Sequence, residues 1–161
     1  MFGPTPTHRF TRTRRGFSLV ELVLTLVIVG LVAAMAVPRY ADALSRYRID
    51  AAANHVVAFL ENAQTEAAAT SADVTVWFRV FHNQLEVTAR ATSYDPTLTY
   101  QTPLDEDPYF CDLVSANFGG DIYLVFDGYG KPDSGGTATL QVGGLTRTIT
   151  VNAETGKATI Q

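Results

Sequence analysis

One stretch decides the fold of this chain: GFSLVELVLTLVIVGLVAAMAV, residues 16–37. At a rise of about 1.5 Å per residue, a helix over residues 17–37 reaches across a membrane hydrocarbon core of about 30 Å. Its only ionisable side chain is that of Glu21. A carboxylate is unfavourable in lipid and is kept there mainly for function, so the sequence predicts a membrane-spanning helix in which Glu21 has a partner.

Basic residues flank this helix unequally. Arg39 and then Asp42 follow it, whereas the preceding leader carries four arginines. Because Lys and Arg accumulate on the cytoplasmic side of membrane segments, we expect one span with the N-terminus in the cytoplasm and the remainder outside. The leader arginines are Arg9, Arg12, Arg14 and Arg15.

Length and charge limit what the exported part can be. The chain has 161 residues, and those after the helix suffice for one small globular domain. Loss of the four leader arginines reduces the 12 basic side chains to 8 against 16 acidic ones, a net charge of −8. An acidic body without a Lys or Arg run is poorly suited to binding nucleic acid phosphates. Cys111 is the single cysteine, so no intrachain disulfide is expected.

A secretory signal peptide is the simpler interpretation of the N-terminus. Ala34-Met35-Ala36 fits the Ala-x-Ala pattern of a cleavage site, and cutting there would release a soluble protein beginning at Val37. However, the apolar run is longer than a signal core of about 7 to 15 residues. It also contains Glu21 and places Pro38 just beyond the cut. These features disfavour a signal peptide.

The N-terminal stretch closely resembles the class III signal of type IV pilins and of the pseudopilins of type II secretion. The matching residues are Gly16-Phe17-Ser18-Leu19-Val20-Glu21-Leu22 and, at the end of the apolar run, Ala36-Val37-Pro38-Arg39-Tyr40. The resemblance implies that a prepilin peptidase cuts on the cytoplasmic face between Gly16 and Phe17. It also implies that Phe17 is then N-methylated.

Filament assembly would supply the partner that Glu21 lacks in lipid. In a stacked helical filament the Glu21 carboxylate of an incoming subunit can meet the N-terminal ammonium of Phe17 on a neighbour. Such a pair is far stronger in a low dielectric than in water. The alternative is that Glu21 reaches the headgroups from its place near the helix start.

Helical periodicity continues beyond Pro38, which removes a backbone donor and is expected to kink the helix. Apolar residues recur at three- and four-residue spacing, which predicts an amphipathic continuation of the helix over residues 38–71. The predicted apolar face consists of Tyr40, Leu44, Tyr47, Ala51, Val56, Phe59, Leu60, Ala63 and Ala67.

From Val74 onward the apolar period is two, which predicts strands. The predicted strands cover residues 74–81, 85–91, 122–126, 138–142, 145–151 and 157–160, with turns at His82-Asn83 and Gly143-Gly144. Residues 92–120 show little periodicity and are predicted to form a long loop. The expected fold class is α+β, with a long N-terminal helix packed on a mostly antiparallel β-sheet domain.

This order of elements resembles the C-terminal domain of the H-type minor pseudopilin of type II secretion and its minor pilin relatives. Turn glycines and alternating strands carry the resemblance, from Phe126-Asp127-Gly128 through Gly143-Gly144 to Gly156-Lys157-Ala158. The major G-type pseudopilin typically ends in a calcium loop rich in Asp and Gly, a pattern that this chain does not follow closely. The resemblance implies a minor subunit.

No residue pattern predicts catalysis or a cofactor. The carboxylates between Asp105 and Asp112 are of the kind that Ca²⁺ prefers, but they lack the spacing of a calcium loop and are interpreted as a solvated segment. Neither His55 nor His82 has neighbours at metal-ligand spacing. The sequence also lacks a recognisable nucleophile motif.

Aromatic residues are frequent in the predicted loop, where Tyr94, Tyr100, Tyr109 and Phe110 lie. Aromatic side chains are enriched in interface cores, so these four are a candidate docking patch. The preferred interpretation is that most of them pack the loop onto the sheet.

The sequence therefore predicts four segments. Residues 1–16 are a cleaved leader, 17–37 a transmembrane helix, 38–71 its amphipathic continuation and 72–161 a β-rich globular domain. The predicted protein is a non-enzymatic minor pseudopilin in the inner membrane, whose partners are other pseudopilins or pilins in a periplasmic filament and the prepilin peptidase. The alternative is a minor type IV pilin that acts in pilus assembly or DNA uptake, although the C-terminal tail supplies only Lys157 as a basic residue. The third class, a soluble secreted enzyme released after Ala36, is disfavoured because the sequence shows no recognisable set of catalytic residues.

Overall fold

A computed structural model describes residues 16–89 and 99–161 of the chain. These residues divide into two compact units, with the boundary between Tyr40 and Ala41. Helix α1 spans Leu19–Thr70 and contains Pro38, so the predicted long helix is confirmed and begins two residues later than expected. The kink expected at Pro38 stays a prediction.

In the second unit, one stripe of α1 is buried. Its residues recur every three or four positions, and most are small enough for a sheet to approach closely. The predicted apolar face is confirmed from Val56 onward. Before Val56, Leu44 and Ala51 are half-buried, whereas Tyr40 and Tyr47 are wrong because they are 70% and 69% exposed. The buried residues are Ile49, Ala52, Ala53, Val56, Phe59, Leu60, Ala63 and Ala67.

Within the described residues, eight strands follow the helix: β1 (Val74–Arg79), β2 (Gln84–Ala89), β3 (Thr99–Pro103), β4 (Asp112–Phe118), β5 (Tyr123–Phe126), β6 (Gly136–Val142), β7 (Leu145–Val151) and β8 (Ala158–Ile160). They form two four-stranded sheets in the orders β3-β2-β1-β5 and β4-β6-β7-β8. Every pair of neighbouring strands is antiparallel. The predicted helix packed on an antiparallel β-sheet domain is confirmed, and the domain is divided into two sheets.

The segment predicted as a long loop contains two of these strands. Strand β3 is polar and lies at a sheet edge, so few of its residues are buried. In β4 the pairing register shifts between Leu113 and Ser115, which breaks the alternation that would reveal a strand. Tyr94 and the rest of residues 90–98 lie outside the described residues.

Two predicted turns are confirmed. Strand β1 ends at Arg79, earlier than expected, because Val80–His82 forms one turn of 3-10 helix, and Asn83 then reverses the chain with φ of 47°. Strands β6 and β7 pair as a hairpin in which Val142 faces Leu145 across Gly143-Gly144, and Gly143 has φ of 59°. Both turns need a residue that tolerates positive φ, as Asn and Gly do.

The core lies between α1 and the inner faces of both sheets. Phe78 of the first sheet and Phe118 of the second meet there, with ring centroids 4.7 Å apart. Asn83 also joins the sheets, because its side-chain oxygen accepts the N–H of Leu113 at 2.9 Å and its amide group donates to Asp112 at 3.3 Å. Both sheets therefore contribute to a single core with the part of α1 from Ile49 onward.

Candidate functional site

The predicted processing site lies directly before α1. Residues 16–18 are not helical, and the first helical hydrogen bond runs from the N–H of Leu22 to the carbonyl of Ser18, at 3.1 Å. Ser18 is thus the N-cap residue, and Glu21 lies in the first turn. A carboxylate in the first turn interacts favourably with the helix dipole, which is compatible with helix formation here.

The first part of α1 offers an apolar surface without cover from the described chain. Every residue from Gly16 to Ala43 is exposed, including Phe17 at 81% and Met35 at 70%. This helix is long and apolar enough to cross a membrane. So large an apolar surface needs a membrane or other protein subunits around it.

Glu21 projects from this apolar segment. The ion pairs between the described residues join Arg79 to Glu86 and Arg147 to Asp50, so neither satisfies Glu21. A partner for this carboxylate therefore has to come from water, from a headgroup or from another chain.

Gly16 is not required by packing inside the chain. A Cβ atom added at Gly16 would meet no atom within 4 Å, and the same holds for Gly30 farther along the helix. Nothing in the described contacts of this chain therefore selects a small residue at position 16.

Three of the four aromatic residues of the predicted loop contact α1. Tyr109 stacks on His55 with ring centroids 5.0 Å apart, and Tyr100 stacks on Phe59 at 5.9 Å. The guanidinium of Arg48 lies 4.5 Å from the centroid of Phe110. Tyr100 itself belongs to strand β3, where it pairs with Val87 of β2. The expectation that most of these rings pack their segment onto the sheet stays a prediction.

Burial affects two titratable groups here. His55 is half-buried, its Nε2 atom has no hydrogen-bond partner among the described residues, and burial lowers the pKa of the imidazole. Cys111 is fully buried, and burial raises the pKa of its thiol to about 11. The thiolate form that reacts with metals and disulfides is therefore scarce near neutral pH.

The carboxylates of Asp105, Glu106, Asp107 and Asp112 are exposed. Among residues 16–89 and 99–161, no three His, Cys, Asp or Glu side chains are grouped closely enough to hold a metal ion. His82 is also exposed, in the 3-10 turn.

Sequence reasoning missed the contacts of Gln64. Its Nε2 donates to the carbonyl of Gly130 at 2.7 Å and to that of Thr155 at 2.8 Å, and so ties two loops to α1. The sequence does place the Gln64 amide beside the buried stripe of α1, which indicates that it contacts another segment. It does not indicate which carbonyl groups the amide binds.

Comparison with known proteins shows what this chain is similar to. The family described as the prokaryotic N-terminal methylation motif matches residues 11–37, which include Gly16, Phe17 and Glu21. Two fimbrial proteins of Pseudomonas aeruginosa are each 29% identical to this chain over 114 residues, which is 71% of this chain and 68% of theirs. The chain is type IV pilin-like.

Solved structures give a weaker likeness to this pilin-like chain. Two crystal structures of the type IV minor pilin FimU from Pseudomonas aeruginosa match at TM-scores of 0.49 and 0.48, each with 15% identity. The first match covers 72% of this chain and 90% of FimU, and the second covers 70% and 91%. At these scores the likeness carries no inference about function.

Proposed function

We propose that this pilin-like chain is a membrane-anchored filament subunit, processed between Gly16 and Phe17 and methylated on Phe17. The single observation that carries the proposal is the matched methylation motif, which lies at the start of an exposed apolar helix with Glu21 in its first turn. After cleavage, residues 17–37 form the inner-membrane anchor, with the N-terminus in the cytoplasm and the domain in the periplasm. The subunit has no enzymatic role and no cofactor.

Two features support cleavage at this position. The bond between Gly16 and Phe17 lies in the non-helical residues before α1, so a peptidase can reach it without unwinding a helix. The space around Gly16 is open, so its small size suits recognition by another protein and not packing within the chain.

Assembly places two opposite charges next to each other. Cleavage creates an ammonium on Phe17, and the Glu21 carboxylate of a neighbouring subunit neutralises it inside the filament. In a low dielectric an unpaired charge is costly, so the pair selects the correct register between subunits. Exposed apolar side chains of residues 17–37 provide the remaining contact surface.

The filament system has two candidates. We assign the chain to a minor pseudopilin of type II secretion, because its domain resembles the H-type subunit in the order of elements and turn glycines. The similarity to two fimbrial proteins favours the second candidate, a minor type IV pilin. Deleting the gene distinguishes them, since loss of secreted proteins with normal pili supports the first and loss of pili with normal secretion supports the second.

Intact mass of the chain purified from membranes tests the proposal. We expect the mass of residues 17–161 plus one methyl group, and Gly16→Leu should block cleavage. Gly30→Leu is the matched control, because neither glycine has a neighbour within 4 Å of an added Cβ and only Gly16 lies at the cut. A mature chain beginning at Val37, or normal processing of Gly16→Leu, would refute the proposal.

A further inference from the structure

The loop that follows β5, residues 127–133, is unusually well fixed; we name it the Asp127 loop. One carboxylate oxygen of Asp127 accepts the N–H groups of Tyr129 at 2.9 Å and of Lys131 at 2.8 Å. The backbone closes the same turn, since Gly130 donates to the carbonyl of Asp127 at 2.8 Å and Asp127 donates to that of Lys131 at 2.9 Å. The loop therefore holds its shape through four internal hydrogen bonds.

The Asp127 loop is also anchored on the end of α1. Gln64 donates to the carbonyl of Gly130 at 2.7 Å. Gly128 lies so close to the helix end that an added Cβ would be 2.7 Å from the carbonyl carbon of Ser71. The backbone around Tyr129 is thus held by its own turn and by the helix.

Tyr129 is 94% exposed on this fixed backbone. Aromatic side chains dominate the binding energy of many interfaces, and one on a rigid backbone loses little entropy when it binds. The ring of Tyr129 does not pack into the core.

A cavity of about 310 Å³ adjoins Tyr129, and it is lined by Ser71, Asp73, Asp127, Gly128 and Tyr129. Two of the lining side chains are carboxylates. The cavity also lies at the C-terminal end of α1, where the last carbonyl groups carry a partial negative charge. Lys131 is the basic residue of the loop, and it does not line the cavity.

We propose that this cavity binds an arginine side chain presented by a partner protein. The guanidinium would stack on the ring of Tyr129, while the carboxylates of Asp73 and Asp127 accept its N–H groups. Charge complementarity selects a cation, and the flat ring beside the carboxylates selects the planar guanidinium over an ammonium.

Two arginine side chains of this chain already lie over aromatic rings. Arg48 lies 4.5 Å from the ring centroid of Phe110, and Arg79 lies 4.7 Å from that of Trp77 while also pairing with Glu86 at 3.0 Å. The second case combines an aromatic face and a carboxylate around one guanidinium, as the cavity does. The proposal is independent of Gly16, Phe17 and Glu21.

A peptide titration tests the proposal. Acetyl-Gly-Arg-Gly-amide is added to the full chain in detergent micelles, and backbone amide shifts are followed by NMR. The control peptide contains citrulline, which keeps the shape of arginine and removes its charge. We expect shifts centred on Ser71, Asp73, Gly128 and Tyr129, with at least about tenfold weaker binding of the citrulline peptide.

Variants identify the contacts. Tyr129→Ala and Asp73→Asn should each weaken binding severalfold without changing the melting temperature, since both side chains are exposed. Phe81→Ala is the matched control, because Phe81 is 98% exposed in a different turn, and it should bind like the unmodified chain. Equal binding of the citrulline peptide, shifts centred on residues 105–112, or undiminished binding by Tyr129→Ala would each overturn the proposal. The processing proposal is judged separately, by mass.

Discussion

Glu21 is the one carboxylate of residues 17–37, and its charge opposes the placement of that apolar segment in lipid. Removing it makes the helix easier to place in lipid. We therefore expect Glu21→Ala to insert into the membrane at least as well as the unmodified chain, and to fail to enter filaments because the Phe17 ammonium of its neighbour is left unpaired. Membrane fractionation measures insertion, and filament pull-down measures assembly.

The control for that experiment lies one turn away. The hydroxyl of Thr25 donates to the carbonyl of Leu22 within the helix, so Thr25→Ala removes a polar group from the same surface without changing its charge. Thr25→Ala should assemble normally. Normal assembly of Glu21→Ala would show that the ion pair is not needed.

We expect His55 to make the stability of the chain depend on pH. Burial lowers its pKa in the folded state below the ordinary value of 6.5, so between these two values the unfolded state binds more protons. The contribution of neutral His55 is fully present above pH 6.5 and is lost as the pH falls through the folded-state pKa. We expect the urea midpoint to fall over this range.

Two substitutions isolate the contribution of His55. His55→Phe keeps a ring against Tyr109 and should reduce the loss of stability between pH 7 and pH 5. His82→Phe alters an exposed histidine and should leave that loss unchanged. Equal pH profiles for all three proteins would exclude His55 as the cause.

At the scale of the element, the end of α1 carries a local strain. The N–H of Ala72 bonds to the carbonyl of Ala67 at 3.3 Å, and Ser71 between them has φ of 51°. Such an end favours glycine at the residue with positive φ. We expect Ser71→Gly to stabilise the chain by about 0.5–1 kcal/mol. Relief of the left-handed conformation, about 1–2 kcal/mol, exceeds the entropic cost of glycine, and the exposed Ser side chain contributes little. The urea midpoint measures it.

A substitution at Gly128, which contacts Ser71, should have the opposite effect on stability. Gly128→Ala would bring a Cβ to 2.7 Å from the backbone of Ser71, so it should destabilise the chain and displace the loop from the helix end. If Ser71→Gly lowers the midpoint, or Gly128→Ala leaves it unchanged, this description of the helix end is wrong.

At the scale of the whole molecule, the exposed apolar segment and the described core occupy different parts of the sequence. Among the described residues, those that are buried begin at Ile49. A fragment of residues 39–161 therefore retains the complete described core, and we expect it to fold alone as a monomer. Cooperative thermal unfolding and sedimentation check this expectation.

The same fragment should bind duplex DNA negligibly, because an acidic surface gains little from the release of counterions. Retention on a DNA column at low salt, compared with an uncharged column, is the measurement. Strong retention that is lost with added salt would instead favour a subunit that captures DNA.

Local patterns were enough to predict much of this protein. The length and apolarity of residues 17–37, the motif from Gly16 to Glu21 and the three- and four-residue spacing after Val56 each depend on neighbours along the chain. The same is true of the hairpin at Gly143-Gly144, where the turn residues specify the pairing of β6 with β7. Periodicity and turn chemistry are short-range, so the sequence alone reports them.

Only the tertiary structure decided the rest. The division into two sheets depends on contacts between distant segments, such as Asn83 with Leu113 and Phe78 with Phe118. Strand β3 is stabilised mainly by its neighbour β2, and β4 is irregular, so neither has a clear period. The buried stripe of α1 begins at Ile49. The apolar pattern of a helix does not show which of its turns other segments will cover, so this boundary could not be predicted from the sequence.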